Sequence, residues 1–482
     1  MLKHISAEVA IIGSGTAGLA AWRAARAHHK HVIMIENGPY GTTCARVGCM
    51  PSKLLIAAAD SAHQVRQAPG FGIYPGELVI DGHAVMSRLK AERDRFVGFV
   101  LDSVASIADE HKIVGHARFQ DEHTLLVDDH TRIEAKTVVI ATGSRPVYPD
   151  DWRRLGDRLL INDDVFEWDR LPSSVAVFGP GVIGLELGQA LHRLGVRVWM
   201  FGMGGKTGPF TDPRVMACAE HHLQQEFFLD ADAEVQRMER NGEQVDIDFC
   251  NAEGVTEGIT VDYVIAATGR QPNVDRLDLE SLNIKRDDRG VPVVDPCTMQ
   301  TSVAHIFVAG DASNLLPLLH EASDQGRIAG DNAGRYPEVR AGLRHSTLSV
   351  VFTAPQIAMV GNSFAELERR YGDGGFAIGQ ASFEDQGRSR VMRRNQGLLR
   401  LYGEPGSGLF LGAEMTAPDA EHLAHLLAWA HQSRMTVAQM LTMPFYHPVV
   451  EEGLRTALRD LHTSLRQGAA MGDPCMECGV GS

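Results

Sequence analysis

At 482 residues, with 44% hydrophobic and 22% charged side chains, the chain has the balance of an ordinary globular protein and the length for roughly three domains. A net charge of −15 argues against general nucleic-acid binding, and the apolar stretches are too short or too broken by glycine to span a membrane. Seven scattered cysteines do not make a secreted disulfide framework, so a cytoplasmic compartment is expected, with no signal peptide and no metal site.

The first unit opens on Val9-Ala-Ile-Ile-Gly13-Ser-Gly15-Thr-Ala-Gly18, a predicted strand running into a glycine turn, with a helix predicted over 19–27. The next strand, over 31–36, ends on Glu36, eighteen residues past Gly18. Strand, glycine turn, helix and acid together make a dinucleotide fingerprint. Gly13, Gly15 and Gly18 let the backbone approach a pyrophosphate at a helix N-terminus, and Glu36 is placed for a ribose hydroxyl.

Cys44 and Cys49 follow in Gly41-Thr-Thr-Cys44-Ala-Arg-Val-Gly48-Cys49-Met-Pro51-Ser-Lys53. Pro51 suits a first helical turn, so Cys49 is predicted near the positive end of a helix dipole, which stabilises a thiolate. The pair reads as a redox disulfide. A structural disulfide, or two unreactive buried thiols, are the alternatives this segment alone leaves open.

The fingerprint then repeats as Val175-Ala-Val-Phe-Gly179-Pro-Gly181-Val-Ile-Gly184, with a helix over 185–194 and a strand over 196–201. Each unit is closed by a related strand and turn, one ending in Thr142-Gly143-Ser-Arg-Pro146 and the other in Thr268-Gly269-Arg-Gln-Pro272. The second unit therefore reads as an insertion within the first. Further on, His305-Ile-Phe-Val-Ala-Gly310-Asp311 puts an acid at a strand end, where it can hold a polyol or ribose hydroxyl. A third domain follows, with a strand over 348–352, a helix over 420–430 and the segment Pro444-Phe-Tyr446-His447-Pro448-Val-Val-Glu451-Glu452. The tail carries a second close pair, Cys475 and Cys478, whose bland reading is an inert chain end and whose sharper one is a thiol shuttle or metal clip.

These five elements, in this order and across nearly the whole chain, resemble the flavoprotein pyridine nucleotide-disulfide oxidoreductases, the dihydrolipoamide dehydrogenases above all. The resemblance implies an α/β fold of two nested Rossmann-like domains and a C-terminal α+β dimerisation domain. Its boundaries would be 1–150 and 273–345 for FAD binding, 151–272 for NAD(P) binding, 346–465 for the interface and 466–482 for the tail. It implies FAD on Gly13, Gly15, Gly18, Glu36, Lys53, Thr142, Gly143 and Asp311, and a nicotinamide dinucleotide on Gly179, Gly181, Gly184 and Gly269. By the same likeness Cys44 is the interchange thiol and Cys49 the thiol facing flavin, Lys53 pairs with Glu186, and His447 with Glu452 forms a base supplied by the partner subunit of a homodimer.

The implied reaction is oxidation of a protein-bound dihydrolipoyl group with NAD as acceptor. The alternatives are an NAD(P)H-dependent reductase of another disulfide such as glutathione, or of mercuric ion, and a non-catalytic carrier-binding subunit of a sulfur or 2-oxoacid complex. Three departures bear on the choice. Gly202 stands where relatives place an acid after the second fingerprint, so a glutamate there is expected to favour NAD over NADP. Thr42 and Arg46 replace a glycine and an asparagine beside the cysteines, Arg46 being expected to lower a thiol pKa or meet an acidic substrate. Phe445 and Tyr446 are expected to narrow access beside His447.

Overall fold

The computed structural model describes residues 2–251 and 254–467; Cys475 and Cys478 lie outside the described residues. Strand Lys3–Ile12 pairs in parallel with Val32–Glu36 on one side and Thr131–Ile140 on the other, forming the centre of a seven-stranded sheet. Lys112–Val114 and Ile306–Val308 extend its parallel part, and an antiparallel hairpin of Ala117–Asp121 and Thr124–Val127 its edge. Val9, Ala10 and Ile11 are fully buried because a parallel sheet is covered on both faces. Helices Thr16–Arg26 and Leu319–Arg335 cross so closely that a Cβ on Gly326 or Gly330 would fall 2.2 Å from a carbonyl oxygen of the other helix.

A second, five-stranded parallel sheet is ordered Phe228–Asp230, Arg197–Phe201, Ser174–Phe178, Tyr263–Ala266, Leu159–Leu160. An antiparallel meander of Glu234–Asn241, Gln244–Cys250 and Thr256–Val261 backs it through a core that includes Phe178, Phe201 and Phe249. The two glycine turns are geometric copies. Gly13 has φ +104° and Gly179 φ +101°, and a Cβ would meet Ala141 O at 2.3 Å in one and Ala267 O at 2.4 Å in the other. Where the chain leaves the first body and returns to it, Ser144–Pro146 pairs with Arg270–Pro272. This is the nesting expected of an inserted dinucleotide unit.

The third body is a five-stranded antiparallel sheet ordered Leu348–Val351, Gln356–Gly361, Phe410–Ala417, Leu398–Gly403, Ala377–Ser382, covered by helices Ala420–Gln432 and Glu452–Gln467. It is fixed to the second body by buried charge. Asp212 and Arg400 pair at 2.6 Å, and the fully buried Glu414 accepts the backbone N–H groups of Thr211, Asp212 and Phe364. With each carboxylate oxygen of Asp212 and Glu414 answered, the cost of desolvating these acids is offset and the bodies are held in one register. Among the described residues no helix is long and apolar enough to cross a membrane.

Candidate active site

Helix Cys49–Gln67 begins on Cys49 itself, and the short helix Thr43–Val47 ahead of it carries Cys44. Thr42 Oγ1 accepts the Ala45 N–H at 3.3 Å and so caps the short helix, although its φ of +58° is strained for a β-branched residue. The two thiols are unlinked and hydrogen-bonded to each other. Donation from Cys44 is the first cause that pulls the Cys49 thiol down to about 7, with the Lys53 ammonium assisting against burial; the same bond and burial push Cys44 up. The proton therefore rests on Cys44 and the negative charge on Cys49, at a helix N-terminus.

One helical turn beyond Cys49, Lys53 Nζ lies 2.7 and 2.9 Å from the two carboxylate oxygens of Glu186 and 4.7 Å from the centre of the Phe352 ring. Glu186 is only 5% exposed. It also accepts the Phe352 N–H at 3.0 Å and the Ser52 hydroxyl at 3.4 Å, so one carboxylate joins all three bodies of the fold. Both thiols, Lys53 and Glu186 line one cavity of about 310 Å³, together with Gly143, Asp311, Val182, Ile183, Phe166 and Leu319.

A second cavity, of about 420 Å³, shares Gly15, Thr43, Ala141 and Gly143 with the first and runs over Gly13, Ser14, Glu36, Thr142 and Arg145. Glu36 Oε2 accepts both the N–H and the hydroxyl of Ser14 at 2.7 Å, and Oε1 accepts the Gly38 N–H, which fixes the acid at the rim of the glycine turn. Thr142 Oγ1 is buried without a partner, and a Cβ direction at Gly15 opens on empty space. Such an elongated cavity, ending on a helix N-terminus with an orphaned hydroxyl in its wall, fits FAD. Gly18 does not line it; a Cβ there would lie 1.9 Å from Gly13 O, so its part is close packing of the turn.

Two site residues left unnamed by sequence reasoning line the thiol cavity. Arg270 donates through Nε to Ser144 Oγ and through its terminal nitrogen to Ser144 O, both at 2.8 Å, and Ser144 Oγ donates to Asp311 at 2.7 Å. Their signal was the pair of Thr-Gly turns, which meet in the two-stranded link. Gly269 lines neither cavity, and its carbonyl accepts the Val147 N–H in that link.

Gly179, Gly181 and Gly184 form the second turn, where a Cβ on Gly181 again meets nothing within 4 Å, leaving room for a dinucleotide backbone. Gly202 departs from the expectation set for it. A Cβ there would fall 2.5 Å from Ala231 O and 2.8 Å from Pro180 Cγ, so the strand end has no room for a glutamate. Arg46 departs too. It lines the elongated cavity, is absent from the thiol cavity and is not among the leading influences on either thiol.

The remaining predicted pair stands apart from the thiols of its own chain. His447 Nδ1 lies 2.9 Å from Glu452 Oε1, while Glu452 Oε2 accepts the Val449 N–H, so the carboxylate orients the ring and leaves Nε2 open. His447 is 67% exposed and Tyr446 80% exposed, and neither lines the thiol cavity. A larger groove beside His63 and His192 shares no residue with either cavity. Among the described residues no group of three or more His, Cys, Asp or Glu is placed to hold a metal ion.

Residues 7–326 match the family model of the pyridine nucleotide-disulphide oxidoreductases, and residues 347–458 match that family's dimerisation domain. The chain belongs to this family. Its enzymes use FAD and NAD(P)H, and their dimerisation domain supports a homodimer. The chain is 30% identical to a dihydrolipoyl dehydrogenase of Bacillus subtilis over 93% of its length and 97% of the relative's. It is also 31% identical to a mercuric reductase of Shigella flexneri, over 95% of this chain and 81% of the relative. Among solved structures, the HOCl-induced flavoprotein disulfide reductase RclA from Escherichia coli shares the fold with a TM-score of 0.77, 23% identity and coverage of 95% of this chain and 99% of that one.

Proposed function

We propose that this flavoprotein oxidises a dihydrolipoyl group, carried on a protein, through Cys44 and Cys49 with NAD as final acceptor. What carries the reading is the chemistry around the thiols. The cavity walls are largely apolar, and its two cations are committed, Lys53 to Glu186 and Arg270 to Ser144. A peptide disulfide such as glutathione brings carboxylates that need free cations, whereas a lipoyl chain brings hydrocarbon and two sulfurs.

In this scheme Nε2 of His447 from the partner subunit takes a proton from one substrate thiol. That thiolate attacks the Cys44 sulfur of the oxidised pair, and Cys49 leaves as a thiolate, a departure eased by its low pKa. The second substrate thiol then attacks the substrate sulfur of the mixed disulfide. As the cyclic disulfide departs, the proton of that second thiol passes to the released Cys44 sulfur, leaving Cys44 a thiol, Cys49 a thiolate and the first proton on His447. Bound FAD supplies the two-electron path from this dithiol to the nicotinamide. Lys53, held by Glu186, would answer the negative charge that gathers there, and Asp311, which accepts from Ser144 while Arg270 holds Ser144 in turn, would hold the polyol of that cofactor.

A second reading, reduction of mercuric ion by a reduced nicotinamide, is favoured by the equal likeness to mercuric reductases. Anaerobic stopped-flow mixing with dihydrolipoamide, NADH and NADPH, followed by turnover with lipoamide, glutathione disulfide or mercuric ion, tests both. Fast bleaching by dihydrolipoamide with efficient transfer to NAD supports the proposal. Slow bleaching by dihydrolipoamide, with NADPH-driven turnover of mercuric ion or glutathione disulfide, refutes it, and no turnover at all would leave a carrier-binding subunit.

A further inference from the structure

Arg46 lies between the two redox cysteines in sequence but lines the elongated cavity of Gly13, Ser14, Glu36, Thr42 and Thr142. Two residues along a helix from Cys44, its side chain leaves the backbone on a different face from the thiol. It is half-buried, and among the described residues its guanidinium makes no hydrogen bond or ion pair. The desolvated carboxyl of Asp163 feels its charge, but no ion pair joins them. Its stem packs against Gly41 while no nitrogen of its guanidinium is buried without a partner, so an unpaired and accessible charge lines the cavity, suited to an anion.

The other cations of that cavity are less suited. Arg145 is tied to Asp275 at 2.7 and 2.9 Å and to Asn273 at 3.0 Å, and Arg276 stands exposed. The glycine turn offers backbone N–H groups and a helix N-terminus, while the segment Glu36-Asn37-Gly38-Pro39 that borders the cavity adds no positive charge. Room for the arginine stem is made by Gly41, where a Cβ would fall 2.9 Å from Arg46 Cδ. We propose that Arg46 is a phosphate ligand of the FAD pyrophosphate, supplying the charge that neutralises it. This inference rests on FAD binding by the family and is independent of which disulfide the enzyme serves.

The test compares Arg46→Gln and Arg46→Lys with the wild-type full chain. Flavin release on dilution of the holoenzyme, followed by the rise in flavin fluorescence at low and high salt, gives the FAD dissociation constant. Riboflavin, which carries no phosphate, is measured on the flavin-depleted full chain. A lost charge-assisted contact is expected to weaken FAD roughly 10- to 100-fold in Arg46→Gln, with riboflavin unchanged, a smaller loss in Arg46→Lys and a flatter salt dependence. Equal weakening of FAD and riboflavin overturns the assignment. So does an unchanged FAD constant accompanied by a shifted ionisation of Cys49, which would return Arg46 to the thiols.

Discussion

Removing the charge of Glu186 while keeping its shape, as Glu186→Gln, perturbs the one carboxylate that touches all three bodies of the fold. At an Nζ to Oε2 separation of 2.7 Å, unit charges in an effective dielectric near 20 attract by about 6 kcal/mol. Desolvating a carboxylate that keeps 5% exposure takes back much of this, and Lys53, a third exposed, recovers some hydration once its partner is neutral. The net loss expected is about 2 to 3 kcal/mol, near the lower bound for breaking a buried pair from one side. Lys53→Met leaves the carboxylate with only the Phe352 N–H and the Ser52 hydroxyl and is expected to lose as much. The double variant removes both charges, so it should recover about 2 kcal/mol relative to the sum of the singles.

Urea unfolding of the four proteins, followed by tryptophan fluorescence, closes this double-mutant cycle, and stopped-flow reduction by NADH reads function beside it. Recovered stability is expected to bring no recovery of the flavin reduction rate, because the charge beside the thiolate is absent in the double variant. A coupling below about 0.5 kcal/mol would show that the pair contributes little and refute the reasoning. Full recovery of rate together with stability would make Lys53 a structural residue.

In the half-reduced enzyme, absorbance from the Cys49 thiolate to oxidised flavin should rise with pH through a midpoint near 7, since the thiol is protonated below that value and ionised above it; Cys49→Ser should abolish the band, and its survival would reverse the two cysteine roles. His447→Ala should slow the dithiol half-reaction by about 10²- to 10⁴-fold while reduction by NADH stays near wild type, and equal slowing of both would point to a structural histidine. Gly202→Glu should weaken binding of NAD and NADP alike, because its Cβ meets Ala231 O at 2.5 Å; a clean gain in NAD preference by isothermal titration would contradict that placement. Thr42→Gly should leave thermal stability unchanged or raise it by about 1 kcal/mol, since relief of the +58° φ outweighs the weaker cap; a loss above about 1 kcal/mol would show that the cap dominates.

Most of the redox centre was legible because its chemistry is written in short spacings. Four residues separate Cys44 from Cys49, a helix starts where Pro51 allows, and each glycine turn precedes its own helix. Even the orientation of Arg46 was readable in principle, since residues two apart on a helix do not share a face. What stayed hidden depends on partners distant in sequence. Ser144 meets Arg270 across 126 residues, and Glu186 meets the Phe352 N–H across 166. Gly202 has the same lesson: the missing acid was visible, but the Ala231 carbonyl that crowds it lies just past the end of the neighbouring strand, which no local pattern contains.

The position of the His447–Glu452 dyad explains why substrate choice is the least legible property of this chain. The thiol cavity of one chain holds two thiols, the Cys49 one inclined to ionise, and a lysine beside them, but the described residues lining it include no histidine. The dyad is assembled and oriented, yet stands at an exposed surface with Tyr446 beside it and Trp429, 67% exposed, on the same body. Large exposed aromatics on a dimerisation domain mark a surface that another protein covers. In the proposed scheme a base brought to the thiols by a second copy would let two chains shape the entrance for substrate. Under that scheme flavin reduction by a nicotinamide draws on residues of one chain, whereas disulfide exchange draws on the pair. The motifs of one chain would then carry the first half-reaction, and the fit between two surfaces the second.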